Sequence, residues 1–213
     1  MSAQDVTRIQ AQDHWERVYT TKPSDGVSWF QAHAEQSLRL IRASGLPSSA
    51  QIMDVGGGAS TLVDDLLAHG YSALTVLDLS AAALEQVRAR LGAQGRRVRW
   101  LVGDITQAEL PQHAYDLWHD RAVFHFLTEA EQRRAYVAQV LHALRPGGHV
   151  VVATFAEDGP AQCSGLPVAR YSPDALQAEF GAPFELLEQR REAHRTPTGA
   201  VQQFIYCHCR RRA

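Results

Sequence analysis

The sequence predicts an α/β fold: a doubly wound, mostly parallel sheet of seven strands that ends in an antiparallel hairpin. Three observations predict it. From Gln51 onward, short apolar runs alternate with segments of helical period. The runs end in Gly, Asp or His, so the strand ends are unusually polar. Near the C-terminus two strand-like runs are joined by Thr196, Pro197, Thr198 and Gly199 with no helix between them, which specifies a hairpin. With 213 residues, 45% of them hydrophobic, the chain can build one core and is short for two.

Before the repeat, His14 to Phe30 mixes Trp15, Tyr19, Trp29 and Phe30 with the turn residues Pro23, Ser24 and Gly26, and reads as an aromatic arm. Leu38 and Ile41 then share a helical face before Gly45 and Pro47 stop that helix. Residues 1–50 are thus expected to form an aromatic arm and helices over the site, and residues 51–213 the domain that carries it.

Ile52 to Val55 is the first strand, running into Gly56, Gly57 and Gly58, and the next helix turns Leu62, Val63, Leu66 and Leu67 inward. Leu74 to Leu77 ends in Asp78, with Ser80 as N-cap of a helix that buries Leu84, Val87 and Leu91. Val98 to Val102 ends at Gly103 and Asp104. A fourth strand around Tyr115 to Trp118 ends in His119 and Asp120. Thr128 and Glu131 have capping-box spacing, and Val137, Val140, Leu141 and Leu144 form the stripe of a helix that stops at Pro146, Gly147 and Gly148. Val150 to Phe155 is the fifth strand, and Phe184 to Arg191 with Val201 to His208 make the hairpin.

Composition excludes several classes of function. Lys plus Arg number 21 against 23 Asp plus Glu, a net charge of -2, so there is no electrostatic footprint for nucleic acid. The one basic cluster, Arg210 to Arg212, reads as a solvated tail. The N-terminus lacks the apolar stretch of a secretion signal, and no segment holds the roughly 20 apolar residues that span a bilayer, so a cytoplasmic protein without a membrane partner is expected. Cys163, Cys207 and Cys209 are too few for a disulfide framework, and no nearby ligand set completes a metal site, so they read as small half-buried thiols and no metal is expected.

In open α/β sheets ligands bind beyond the carboxyl ends of the strands, so the residues just after each strand carry the chemistry. Gly56, Gly57 and Gly58 let a ligand approach the backbone and the following helix, although a tight turn alone would also select glycine. Asp78 follows Gly58 by about 20 residues at the next strand's end, where a carboxylate can accept both ribose hydroxyl protons. Asp104, after a third strand, can accept a proton from an adenine amino group. A nicotinamide dinucleotide also uses a glycine loop followed by an acid. Here, however, the third small position is Thr61, and Asp54 precedes the first glycine, where it would repel a pyrophosphate but suit an ammonium or sulfonium group.

From about Gln51 to its end the chain resembles the class I S-adenosylmethionine-dependent methyltransferases, a Rossmann-like family. Asp54-Val-Gly56-Gly-Gly58 matches the family's first motif, Asp78 its ribose acid, Gly103-Asp104-Ile105 its adenine contact, and Leu144-Arg-Pro-Gly-Gly148 its fifth-strand signature. The C-terminal hairpin looks like its antiparallel seventh strand. Tyr115 to Arg121 and the segment around Trp15 and Ser28-Trp29-Phe30 further resemble the thiopurine/thiol and small lysine methyltransferase branches. The resemblance implies S-adenosylmethionine as cofactor, S-adenosylhomocysteine as product, and cofactor contacts at Trp29, Asp54, Gly56, Gly57, Gly58, Asp78, Leu79, Asp104, Ile105 and His119.

An acceptor that must lose a proton needs a base, and Asp120, His125 and His119 are the candidates, in that order for the first two. Each has a plainer role available: Asp120 fixing its loop by pairing with Arg121, His125 packing, His119 covering the cofactor. His194 lies in the terminal hairpin, where it could face the acceptor, but reads first as a hydrogen-bonded strand-edge histidine. The loop from Ala156 to Arg170 is expected to wall the acceptor. His119-Asp-Arg-Ala122 stands where nucleobase amino-methyltransferases carry an Asn/Asp-Pro-Pro-aromatic tetrad, which disfavours DNA and RNA. The expected function is methyl transfer to a small-molecule S, O or N acceptor; the alternatives are protein lysine methylation and a non-catalytic cofactor-binding partner subunit.

Overall fold

A computed structural model of the protein describes residues 3–213, with side chains from residue 9 onward; residues 1–2 of the expected arm lie outside the described residues. Helix α1 (Ala3–Thr21) leads through a 3-10 turn at Ser24–Gly26 to α2 (Glu35–Ala43). The repeat follows as β1 (Gln51–Val55), α3 (Leu62–Ala68), β2 (Ala73–Asp78), α4 (Ala81–Leu91) and β3 (Val98–Val102). After it come β4 (Tyr115–Arg121), α5 (Ala130–Ala143), β5 (Leu144–Phe155), a two-residue pair β6 (Gln162–Cys163) and β7 (Leu166–Pro167), α6 (Pro173–Phe180), β8 (Phe184–Arg195) and β9 (Val201–Arg211).

Seven strands form one sheet in the order β3-β2-β1-β4-β5-β9-β8. β1 to β5 pair in parallel, and β9 runs antiparallel between β5 and β8. The strand order reverses between β1 and β4, the switch point where open parallel sheets leave a crevice. Register there sets Asp54 beside His119 and Val55 beside Asp120.

Both faces of the sheet are covered, so its central strands bury apolar side chains on each side, with Asp54, His119 and Asp120 near their carboxyl ends. On one face Ile52, Leu117 and Val151 pack with Leu40 and Ile41 of α2, Leu62 and Leu66 of α3 and Val87 of α4. On the other, Met53, Trp118 and Val152 pack with Tyr136 and Val140 of α5 and Leu176 of α6.

Several expected elements shift. β4 continues through Arg121, because His119, Asp120 and Arg121 pair with Val151, Val152 and Ala153. The capping box sits one residue later than the Thr128 and Glu131 spacing suggests: Glu129 caps α5 and Gln132 returns the bond. Leu144 leaves that helix to open β5, and the buried stripe is Tyr136, Val140 and Ala143. Both hairpin strands run longer than their apolar cores, to Arg195 and Arg211. The Arg tail is tied to the fold by hydrogen bonds, although Arg210 and Arg212 stay exposed as a solvated tail would be. Arg210 pairs with Glu185 at 3.0 Å, Arg211 donates to the carbonyls of Leu141 and Leu144 at the end of α5, and Arg212 donates to the Ala182 carbonyl. The three thiols are buried, not half-buried, and burial pushes each up to about 12. Among the described residues no three His, Cys, Asp or Glu side chains gather to hold a metal ion, and no helix is long and apolar enough to cross a membrane.

Candidate active site

At the carboxyl end of β1 the chain must turn sharply into α3. Gly56 and Gly58 take the left-handed backbone this requires, with φ of 64° and 33°. The amides of Gly56 and Gly57 both donate to the Leu77 carbonyl of β2, which pins the loop to the neighbouring strand. Missing side chains matter in three separate ways. A Cβ on Gly56 would fall 1.9 Å from Val123, on Gly57 2.7 Å from Asp54 Oδ2, and on Gly58 2.8 Å from Asp78 Oδ2 and 2.9 Å from the Tyr19 hydroxyl. Arg90 of α4 holds the loop from outside, donating to the carbonyls of Ala59 and Ser60 and pairing with Asp64 at 2.6 Å.

A cleft opens over this loop, lined by Asp54, Gly56, Gly57, Thr61, His119 and Arg121 from the sheet side and by Tyr19, Trp29, Gln31 and Ser37 from residues before the sheet. Asp54 is buried, and its Oδ1 accepts a hydrogen bond from His119 Nδ1 at 2.7 Å. Its other oxygen, Oδ2, is buried with no hydrogen-bond partner among the described residues. His119 Nε2 meets the Ser37 hydroxyl at 2.8 Å.

Asp78 is also buried at its strand end. Its Oδ1 accepts from the Ser80 amide at 2.9 Å, while Ser80, not Asp78, caps α4 by accepting from the Ala83 amide. Loss of water raises the Asp78 carboxyl to about 7, against hydrogen bonds from the Ser80 and Gly58 amides that lower it. Leu79 follows, half-buried. Asp104 accepts from the amide and hydroxyl of Thr106, closing the turn after β3, and Ile105 is buried behind it.

The N-terminal segment docks onto these strand ends. Glu16 accepts from the Ser80 hydroxyl at 2.7 Å and from the Ala82 amide, and Gln86 donates to the Tyr19 carbonyl. Trp15 stacks edge-on against Trp29 and Phe126. The carbonyl of Trp29 accepts from Arg121, and that of Ser28 from His194 at 2.7 Å, so His194 is hydrogen-bonded as its sequence position suggests. Glu192 accepts from Gln31, Arg121 and Tyr206 together.

The three candidate bases separate. His119 lines the cleft. Asp120, the next residue of a strand, points to the opposite face. There it accepts from the amides of Val123 and Phe124 and from the Tyr136 hydroxyl at 2.6 Å, and Trp118 donates to Tyr136 in turn. It fixes its loop, but through these donors; Arg121 pairs with Glu192 instead. Burial lifts the Asp120 carboxyl to about 6. His125 is fully buried between Phe126 and Phe155, outside the cleft, and burial depresses it to about 3. No residue from Ala156 to Arg170 lines the cleft. Sequence reasoning missed Ser37, Glu16 and Glu192; only the burial of a serine among Leu40 and Ile41 distinguishes Ser37, and burial is not readable from a nine-residue helix.

Residues 52–148 match the methyltransferase domain family. The chain is 23% identical over 160 residues to EEF1A lysine methyltransferase 2 of Danio rerio, covering 68% of this chain and 69% of that protein. It is 28% identical over 164 residues to Nodulation protein S of Rhizobium tropici, covering 77% and 66%. Its fold matches that of Burkholderia thailandensis 1,6-didemethyltoxoflavin-N1-methyltransferase, solved with its substrate and S-adenosylhomocysteine, with a TM-score of 0.70 and 18% identity over 100% of this chain and 92% of that one. Residues 52–148 thus carry the likeness to a methyltransferase domain, and the fold of the chain agrees with that of S-adenosylmethionine-dependent methyltransferases. Its residues suit that cofactor: the unpartnered Asp54 oxygen answers an ammonium donor, and the glycine loop leaves room that a Cβ would fill.

Proposed function

We propose that the protein transfers a methyl group from S-adenosylmethionine to a sulfur, oxygen or nitrogen atom of a small molecule. The observation that carries the cofactor side is the buried, unpaired Oδ2 of Asp54 at the sheet's switch point, a place for the cofactor's ammonium. Asp78 accepts the ribose hydroxyls, Asp104 the adenine amino group, and Leu79 and Ile105 flank the base. Gly56, Gly57 and Gly58 admit the cofactor to the backbone, while Trp29 and His119 border its methionine part. Residues 1–50 act as a cover and residues 51–213 as the methyltransferase domain, supported by the docking of Glu16 and Tyr19 at the ribose end.

When bound, the cofactor supplies an already activated methyl group. The chain's task is then to hold an acceptor lone pair in line and dry, for which proximity is worth about 7–11 kcal/mol in favourable cases. Asp120 and His125 stand outside the cleft, and His119 is committed on both ring nitrogens, so none of the three is assigned the role of base. The small-molecule acceptor draws support from the cover pinned across the cleft at Ser28, Trp29 and Gln31. Protein lysine methylation is the second reading, favoured by the name of the Danio rerio relative.

Incubation with methyl-labelled cofactor and cell extract, separated into small-molecule and protein fractions, tests the acceptor. Label among small molecules is expected. Label in protein transfers the assignment to the lysine reading, and label in neither, with cofactor binding intact, indicates a non-catalytic binding subunit.

A further inference from the structure

Ser37 sits in α2, whose other buried residues, Leu40 and Ile41, are apolar. A hydroxyl in such a place costs free energy unless it is hydrogen-bonded, so packing alone does not call for it. Its partner is His119 Nε2 at 2.8 Å, and His119 Nδ1 reaches Asp54 Oδ1 at 2.7 Å. A carboxylate oxygen only accepts, so Nδ1 carries the proton; in the neutral ring Nε2 then accepts from the Ser37 hydroxyl. Ser37, His119 and Asp54 are all buried and all border the cleft. The chain of bonds consumes Oδ1 of Asp54 and leaves Oδ2 unpaired beside Gly57, where no Cβ intervenes.

We propose that Ser37 is a positioning residue for the cofactor's ammonium group: it fixes the His119 ring, which holds Asp54 with one carboxylate oxygen free toward the cleft. The proposal rests on the assignment of S-adenosylmethionine to this cleft. It also gives the segment before the sheet a part in cofactor binding through His119, because Ser37 enters the site from α2 and not from any strand end.

The test compares ligands by calorimetric titration. S-adenosylhomocysteine carries the amino-acid end with its ammonium group; methylthioadenosine shares the adenosine and sulfur and lacks that whole end. The deaminated analogue of S-adenosylhomocysteine, which lacks the ammonium alone, should behave like methylthioadenosine. Ser37→Ala should weaken S-adenosylhomocysteine about tenfold, the scale of one net hydrogen bond, and leave methylthioadenosine within about twofold. His119→Asn, which cannot bridge Asp54 and Ser37 and also borders the methionine part, should show a selective loss at least as large. Equal loss of both ligands in both variants would mean that the chain of bonds only supports the fold, and overturns the proposal. Wild-type protein that binds neither ligand overturns the cofactor assignment as well, so the two failures are distinct.

Discussion

Asp78 and Asp120 are both buried aspartates at parallel strand ends, yet their partners assign them opposite work. Asp78 accepts from the Ser80 and Gly58 amides, and a carboxylate has lone pairs left for further donors, while Ser80 has already taken the capping role. Asp78→Ala should weaken S-adenosylhomocysteine roughly 10- to 150-fold per hydrogen bond lost, with a small change in the apo melt. The Asp78 carboxyl stands at about 7 in the apo protein, and hydroxyl donors stabilise its ionised form. Binding therefore releases a proton below that value, and affinity should fall as pH drops from about 8 to about 6, a dependence absent in Asp78→Asn. Asp120 has three donors, the amides of Val123 and Phe124 and the Tyr136 hydroxyl, on the face of the sheet opposite His119. Asp120→Ala leaves those donors unpaired and should cost about 2–4 kcal/mol in a denaturant melt, with S-adenosylhomocysteine affinity of the folded protein within a few-fold. Wild-type stability with lost methyl transfer would return Asp120 to the role of base.

At the scale of elements, the glycine turn carries fold and site together. Gly56→Val looks from sequence like a change that merely blocks a ligand. The structure puts its Cβ into Val123 and its φ in the left-handed region, so the variant should lower the melting midpoint markedly as well as abolish binding. A variant with a normal melt would mean the loop is slack. What could be read from the sequence follows the same division. The β1-α3-β2-α4-β3 run was legible because its strands are short apolar runs bounded by glycine and aspartate, and its caps are local. The length of β4, β5, β8 and β9 was not, because their ends are held by cross-strand pairing of polar residues such as His119 with Val151 and Glu185 with Arg210. Helix α6 and the β6–β7 pair lie in a stretch whose periodicity is too short to assign. Strand-end carboxylates were visible as a pattern; which face each used was set by where β4 ends, so Asp120 and His119 exchanged expected importance.

Across the whole molecule, three separately encoded parts converge on one cleft: strand ends supply Asp54 and His119, α1 and α2 supply Tyr19 and Ser37, and the C-terminal hairpin supplies Glu192 and His194, which hold the segment over the opening. A ligand that ties these together stabilises the folded state by mass action, by about 2.7 kcal/mol at a hundredfold excess over Kd. The most direct measurement is calorimetric titration of the protein with S-adenosylhomocysteine beside NAD. Saturable binding of S-adenosylhomocysteine, lost in Asp78→Ala, with no heat from NAD, is the predicted result; NAD binding with none for S-adenosylhomocysteine would contradict it.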